Sequence, residues 1–395
     1  MKYIVLVLLF FQTVIYAEFV SSFDDVPPAT ETVLGTPVED SGNIIVQPQP
    51  PTPQEQVLGE EVTLDPQGQE QMIQKVPYKE VRVEDYIGSG ELKIALLVPK
   101  KVIKGYAKKV SNTILSYLTF RGEDFTFEVF DSRDESEERL LDTILKIKSK
   151  GYKYVIAPLT NKGAKTLASL ERDLFIYVPT IHKSDGINHS GNFYFGGIDY
   201  KKQIEKLLPY TNGKLAVFMD KSWLAQRLTS YIQANSYNSY IYTKLIANAK
   251  INPKYILKGN SRLQNASIFF NMPLVSTALL ASSFSSYDIK PFGLFSTQVN
   301  YSPLLFTMIQ RKDRQNFYIA NSIGYVNSKL NDINQNFGIK IKYEWVAYSS
   351  SIGVDYILSR YYNIDPIFNE DMIAHQIRYK IHIEKIIADE FRKVH

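Results

Sequence analysis

The side chains of this chain that could do chemistry fall into no spacing typical of a catalytic or metal site. There is no cysteine, which excludes disulfides, thiolate metal sites, cysteine nucleophiles and lipid attachment through cysteine. The five histidines include no pair four residues apart and no HExxH, the spacing by which one helix offers two imidazoles to zinc. The sequence therefore predicts no metal site.

Motifs for phosphate binding and acyl transfer are also missing. A dinucleotide site needs a glycine-rich turn after the first strand, and here that turn reads PKKVIKG. The chain has neither GxxxxGK[ST] nor GxSxG, and SSSIG at 349–353 falls within a predicted helix. We predict a non-enzymatic protein without a cofactor. Paired carboxylates for glycoside cleavage have no sequence signature, so that enzyme class stays open.

Polar and aromatic side chains that directly follow predicted core strands form the candidate ligand-binding set. In open α/β sheets, ligands bind in the crevice beyond the carboxyl ends of the strands. Hydroxyl and amide groups there can hold a carboxylate or amide, and an indole can cover an apolar body. The candidates are Thr160, Asn161, Thr180 and His182 in the first half of the fold and Asp220, Trp223 and Asn271 in the second.

Each candidate also has an ordinary structural explanation. Capping of the next helix is the favoured interpretation of Asn161, Asp220 and Asn271 taken one at a time. For His182, the favoured interpretation is a solvent-exposed loop histidine.

The stretch 93–181 contains the elements that must position these residues. Four short apolar runs, IALLV, FTFEVF, YVIAPL and LFIYVPTI, alternate with three segments of helical period. This alternation is typical of a parallel sheet covered by helices on both faces. A second β-α-β series of similar size follows over 214–323. We therefore predict an α/β protein with two Rossmann-like lobes, each a parallel sheet flanked by helices.

The first 92 residues differ in character from the rest. Residues 1–17 predict a secretory signal peptide, because their apolar run is too short to span a bilayer, although an uncleaved anchor stays open. Residues 18–74 are rich in Pro, Gln and Glu and predict a disordered tether, and 75–92 predict a lead-in segment. Export to a bacterial periplasm, with no transmembrane segment after signal removal, is the expectation.

The two parts of the chain carry opposite charge. Residues 18–92 hold 15 acidic and 3 basic side chains, and residues 93–395 hold 26 acidic and 41 basic ones. The resulting net charge of +15 predicts an anionic partner, such as a cell-wall polymer, lipid head groups or an acidic protein, and for an exported chain no nucleic acid. The alternative is that the acidic segment balances the charge within one molecule.

Several local sequences resemble those of type I periplasmic binding proteins, which include the branched-chain amino acid binding proteins. They are KIALLVP (93–99), VIAPLTNKGA (155–164), FIYVPTIHKSD (175–185), FGGIDYKKQ (195–203), KLAVFMDKSWLAQRL (214–228) and YEWVAYSSSIGVDYIL (343–358). The resemblance implies three crossings between the lobes, near Gly196–Asp199, Asn321–Tyr325 and Tyr361–Ile367. Lobe 1 would then be 93–199 completed by about 325–361, and lobe 2 would be 200–324 completed by about 367–395.

Two departures from this family bear on function. Pro99 is followed by Lys100 and Lys101, where the family has small polar residues at its ligand cleft, and Ala157-Pro158 replaces its usual Gly-Pro. The same fold also occurs in regulators of cell-wall synthesis, such as the outer-membrane activator of penicillin-binding proteins, which are lipoproteins. The resemblance thus implies either an envelope protein-interaction module or a receptor for an amino acid or similar small polar solute, and the tether and basic domain favour the first.

Overall fold

The computed structural model describes residues 92–189, 191–236, 239–246 and 251–394. The predicted signal peptide, the acidic segment and the lead-in segment up to residue 91 lie outside these ranges. None of the helices within them is both long and apolar enough to cross a bilayer.

Fourteen strands occur in the described ranges. In chain order they are β1 Leu92–Val98, β2 Phe125–Asp131, β3 Tyr154–Ile156, β4 Phe175–Val178, β5 Phe193–Phe195, β6 Lys214–Met219, β7 Tyr240–Leu245, β8 Ser267–Asn271, β9 Gly293–Ser296, β10 Phe317–Asn321, β11 Asp371–Ile373, β12 Gln376–Arg378, β13 His382–Ile387 and β14 Glu390–Lys393.

Eleven α-helices accompany them in the same ranges. They are α1 Lys100–Ile103, α2 Gly105–Arg121, α3 Glu137–Ser149, α4 Asn161–Leu170, α5 Tyr200–Leu207, α6 Trp223–Ala234, α7 Pro253–Leu257, α8 Leu274–Ser283, α9 Leu304–Met308, α10 Ser328–Asn336 and α11 Trp345–Tyr361.

The strands form two seven-stranded sheets with the same plan. The first has the order β11-β12-β5-β4-β3-β1-β2, and the second has the order β14-β13-β10-β9-β8-β6-β7. The five sequential strands of each sheet run parallel, and an antiparallel pair is added at one edge. The predicted architecture of two α/β lobes is confirmed. We define lobe 1 as residues 92–199 and 322–378, and lobe 2 as residues 200–321 and 379–394.

The last crossing between the lobes differs from the prediction. After α11 the chain stays in lobe 1, because β12 pairs with β5 through Gln376 and Phe195. The chain then passes to lobe 2 over 379–381, so the crossing predicted at Tyr361–Ile367 is wrong. The strands β11 and β12 have three residues each, which is too short for a recognisable strand period.

Local sequence explains where the helices next to the cleft begin and end. Helix α3 carries Glu137 and Glu138 in its first turn and Lys146 and Lys148 in its last, which is the order that the helix dipole favours. Helix α4 starts after Thr160, whose side chain accepts the N–H of Gly163 at 3.3 Å.

Helix α11 is buried in lobe 1 and shares a hydrophobic core with lobe 2. Most of its residues are buried, and it belongs to one continuous hydrophobic core that includes β1 and α2 of lobe 1 and β8 of lobe 2. Gly353 allows it to approach β4, since a Cβ there would lie 2.3 Å from Cδ1 of Tyr177. The position of this helix therefore depends on a residue without a side chain.

We expect Gly353→Ala to lower the free energy of unfolding by about 1–3 kcal/mol, because the added methyl overlaps the Tyr177 ring. In an open helical position the same change would stabilise by up to about 1 kcal/mol. Gly105→Ala supplies that control, since nothing lies within 4 Å of its Cβ position. Urea denaturation measures the free energy of unfolding of both variants. An equal change in the two would contradict the close packing of Gly353 against Tyr177.

Candidate functional site

The candidate site lies where the carboxyl ends of both sheets face the junction between the lobes. Lobe 1 contributes the residues after β3 and β4, and lobe 2 contributes the residues after β6 and β8. A candidate side chain can bind a ligand only if its polar atoms are not already hydrogen-bonded to other groups of the protein.

Thr160 and Asn161 bind groups within lobe 1. The Thr160 N–H donates to Oε1 of the buried Glu135 at 2.7 Å, and its hydroxyl donates to Oε2 of the same carboxylate. Thr160, and not Asn161, caps helix α4. The Asn161 amide donates to the carbonyl of Asp185 at 3.0 Å. Both residues therefore hold the loops at the end of the sheet in place.

Thr180 and His182 follow β4. The Thr180 hydroxyl donates to the Leu159 carbonyl at 2.5 Å. His182 caps the 3-10 turn over 183–185, with Nδ1 2.7 Å from the Ser184 hydroxyl and Nε2 3.9 Å from the Asp199 carboxylate. Its side chain is only 12% exposed, so the expectation of a solvent-exposed histidine is wrong. Burial lowers its pKa, although Asp199 and Asp185 act in the opposite direction.

Asp220 and Asn271 lie close together in lobe 2, where the Asp220 N–H donates to the Asn271 carbonyl at 3.3 Å. The Asp220 carboxylate accepts the N–H and hydroxyl of Ser222, the residue that caps α6. The Asn271 amide donates to the Thr229 hydroxyl at 3.0 Å. Neither residue caps a helix, so that interpretation was wrong for both, as it was for Asn161.

Trp223 is the first residue of α6, and its side chain stays 56% exposed. The guanidinium of Arg227, one helical turn further on, lies 4.8 Å from the centre of its ring and 5.5 Å from that of Tyr231. The Arg227 Nε donates to the Tyr231 hydroxyl at 2.5 Å. The two rings thus hold the guanidinium in one orientation.

Arg227 joins the lobes. Its Nη2 lies 2.9 Å from Oδ1 of Asp185 in lobe 1 and donates to the Ser184 carbonyl at 3.3 Å. Burial raises the pKa of the Asp185 carboxyl, and the guanidinium opposes that rise. This bridge brings His182, Asn161 and Trp223 into one group. Sequence reasoning missed Arg227 and Asp185, although Trp223 and Arg227 are four residues apart and therefore share a helix face.

Aromatic rings close the junction at a second place. Tyr343, between α10 and α11, lies 5.6 Å from Tyr301 and 6.3 Å from Phe391, both of lobe 2, measured between ring centres. Tyr301 donates to Glu384 at 2.9 Å. Burial, with the charge of Glu384, raises the pKa of Tyr301. Tyr301 is buried and the other two rings are half-buried, so opening the lobes here would expose ring surface.

A buried hydroxyl cluster holds two of the connections between the lobes. Tyr379, in the last connection, donates to the Gly196 carbonyl in the first at 2.8 Å, and its hydroxyl oxygen lies 3.2 Å from the Ser349 hydroxyl of α11. Ser349 also lies 3.0 Å from the Tyr177 hydroxyl of β4. In the remaining connection Gly324 packs against Tyr348, whose hydroxyl donates to Glu370.

The cavity between His182, Asp199, Ser322 and Arg378 at this junction measures about 30 Å³. That is room for about one water molecule, whereas pockets for small organic ligands measure roughly 300–1,000 Å³. Within the described ranges, no group of three or more histidines and carboxylates is placed to hold a metal ion.

Solved structures with similar folds belong to solute-binding and envelope proteins. A periplasmic ligand-binding protein of a branched-chain amino acid ABC transporter from Burkholderia xenovorans has a TM-score of 0.57 at 9% identity, over 77% of this chain and 95% of that one. The branched-chain amino acid binding protein LivJ from Streptococcus pneumoniae, in complex with isoleucine, has a TM-score of 0.54 at 9% identity, over 77% and 99%.

LpoA from Haemophilus influenzae has a TM-score of 0.53 at 10% identity, over 78% of this chain and 59% of LpoA, so this chain spans less than two thirds of that protein. No family model matches the sequence, and no curated protein matches it. Together with the topology, these likenesses show that the chain has the type I periplasmic binding protein fold.

We expect Arg227→Gln and Asp185→Asn each to lower the free energy of unfolding by about 1–2 kcal/mol, because each leaves a half-buried charge without its partner. The double variant should lose less than the sum by about 1 kcal/mol. The exposed Lys201–Glu205 pair, at 3.9 Å, is the control and should show coupling of at most about 0.5 kcal/mol. Additive losses at Arg227 and Asp185 would mean that the pair does not join the lobes.

Proposed function

We propose that this protein is a non-enzymatic protein-interaction module of the bacterial envelope, acting as a regulatory or scaffold component in the periplasm. In this proposal the two lobes form one rigid body and present outer surfaces to a partner. They do not open and close around a solute.

The observation that carries the proposal is that the polar groups facing the junction already bind the chain itself. Thr160 binds Glu135, Thr180 binds Leu159, and Asp220 binds Ser222. To bind here, a solute would have to replace these hydrogen bonds, and the junction offers it no cavity of matching size. Leaving a buried donor or acceptor unpaired costs about 1–3 kcal/mol.

The fixed connections support the same conclusion. A clamshell protein moves by changing a few dihedral angles in its connections, and such hinge residues must be free to turn. Here Tyr379 and Gly196 are hydrogen-bonded to each other, and Gly324 packs against Tyr348 and Glu370. Opening would break these contacts together with the Arg227–Asp185 bridge.

The comparison with LpoA supports an interaction role at the level of fold. LpoA shares the fold, and the resemblance seen in the sequence extends to regulators of cell-wall synthesis such as the outer-membrane activator of penicillin-binding proteins. The predicted signal peptide and acidic segment suit an exported protein that reaches a partner. The net charge of +15 over 93–395 supports an anionic one.

Solute binding is the second candidate, and two observations favour it. Arg227 and Asp185 carry the complementary charges that the carboxylate and ammonium of an amino acid need. In addition, the buried Asn271 Oδ1 and Gln298 Nε2 have no hydrogen-bond partner within the described ranges. In this alternative, an amino acid would separate Arg227 from Asp185 and bind between them.

Thermal unfolding of the full chain with each of the twenty amino acids, short peptides and cell-wall fragments separates the two candidates. A solute at one hundred times its Kd would add about 2.7 kcal/mol to stability, which raises Tm by several degrees. We expect no solute to raise Tm. A rise with one solute class that is lost in Arg227→Gln would replace the interaction module with a receptor.

Lysine cross-linking of the chain in its native envelope tests directly whether it binds a partner protein. We expect one discrete complex of higher mass. An exported solute-binding protein from the same host is the control and should give no such complex.

A further inference from the structure

The two lobes have the same strand order but differ in net charge. Lobe 2 carries 19 basic and 7 acidic residues along its sequence, whereas lobe 1 carries 22 and 19. Nearly all of the net positive charge therefore belongs to lobe 2. A field of one sign attracts a partner of the opposite sign and raises the rate of encounter.

The edge strand of lobe 2 is open. Strand β7 pairs in parallel with β6 from Tyr240 to Leu245, and among the described strands nothing pairs with its other side. Four of its six residues are exposed, including Tyr240 at 56% and Leu245 at 48%. A strand edge offers a row of unpaired N–H and C=O groups, which natural proteins usually protect with proline, bulges or several charges. Strand β7 carries only Lys244.

Strand β2 occupies the same place in lobe 1 and gives an internal comparison. Most of its residues are half-buried, and its Glu128 is paired with Lys150. The exposed and basic character of β7 is thus a property of this strand and not of the fold.

Basic groups flank one face of β7. Because side chains alternate along a strand, Tyr240, Tyr242 and Lys244 share a face. The guanidinium of Arg262 lies 5.1 Å from the centre of the Tyr242 ring, and Asn260 donates to the Tyr242 hydroxyl at 3.3 Å.

Further basic residues follow β7 in the chain. Lys254 and Tyr255 of helix α7 and Lys258, its C-cap residue, are exposed, and the two lysines have no ion-pair partner within the described ranges. They line a surface concavity of about 440 Å³ together with Ser286, Tyr287 and one carboxylate, Asp288.

The other face of β7 is less polar. Ile241 packs into the core beneath α5 and α6, and Leu245 is on the same face by alternation. A strand added beside β7 would therefore meet Lys244, Arg262 and two tyrosines on one face, and Ile241 and Leu245 on the other.

We propose that β7 is a docking edge for an extended acidic segment of a partner protein, which adds a strand to the second sheet. The segment would carry acidic residues alternating with β-branched or other apolar ones. Its main chain would pair with the open edge, and its carboxylates would meet Lys244, Lys254 and Arg262. A phosphate or glycan polymer could match the charge but has no peptide groups to pair with the strand. This inference rests on the proposed interaction function and names its surface.

The test uses the full chain and a blocked eight-residue peptide of alternating Glu and Val. We expect the peptide to bind, and hydrogen exchange of amides in Tyr240–Leu245 to slow while those of Phe125–Asp131 do not. Methylation of every peptide nitrogen, which keeps the charge but removes the N–H donors, should abolish binding. An alternating Lys and Val peptide should not bind.

Matched variants test the charge. Lys244→Gln with Lys254→Gln and Arg262→Gln should weaken peptide binding about tenfold, by the loss of three exposed ion pairs. Lys108→Gln with Lys146→Gln and Lys165→Gln removes the same charge from exposed positions of lobe 1 and should change the Kd less than twofold.

Three results would overturn the inference: no peptide binding, equal binding of the methylated peptide, or polyphosphate binding as tightly without slowing exchange in β7. If no solute raises Tm, any of these three results would show that β7 is not the docking edge, while the proposed interaction function would still stand. A solute class that raises the Tm of the parent chain but not that of Arg227→Gln would overturn the function whatever the peptide does.

Discussion

The arrangement of the two lobes depends on one buried hydroxyl cluster around Ser349. Its side chain lies within hydrogen-bond distance of Tyr177, Tyr379 and the Gly196 carbonyl, so helix α11, strand β4 and two of the connections between the lobes meet at a single point. Buried polar groups must find partners, and here each partner belongs to a different element. Moving any one of them would leave a hydroxyl or carbonyl unpaired in the core.

The hydroxyl cluster is one of several contacts that join the two lobes. In addition to these connections, Arg227 bridges to Asp185, and Tyr343 packs against Tyr301 and Phe391. The same fold in solute-binding proteins encloses a ligand between its lobes, whereas in this chain its own side chains occupy the junction. If the two lobes form a rigid body, as we propose, specificity resides on the outer surfaces, and above all on the basic second lobe.

The sequence predicted the fold well because the signals for it are local. Apolar runs of four to eight residues and helices with acidic starts and basic ends can be recognised without knowledge of contacts, and SSSIG at 349–353, which the sequence placed in a helix, lies inside α11. The hairpin of β11 and β12 was missed because strands of three residues have no period to detect.

The candidate site was less predictable because it depends on pairs distant in sequence. Thr160 was predicted from its place after a strand, but its binding to Glu135 follows from the approach of two loops. His182 was expected in solvent, yet it is largely buried and lines a small cavity with Asp199, Arg378 and Tyr379 from other segments. Arg227 and Asp185 are 42 residues apart in different lobes, and neither has a local feature that indicates the other.

The most direct test of the central claim is the distance between the lobes in solution. The chain has no cysteine, so spin labels at Lys146→Cys in lobe 1 and Lys290→Cys in lobe 2 would be its only labels. Pulsed electron paramagnetic resonance should give one narrow distance distribution, unchanged by a saturating mixture of amino acids. Two distributions, or a shift of several ångström on adding solute, would show a moving clamshell and contradict the rigid module.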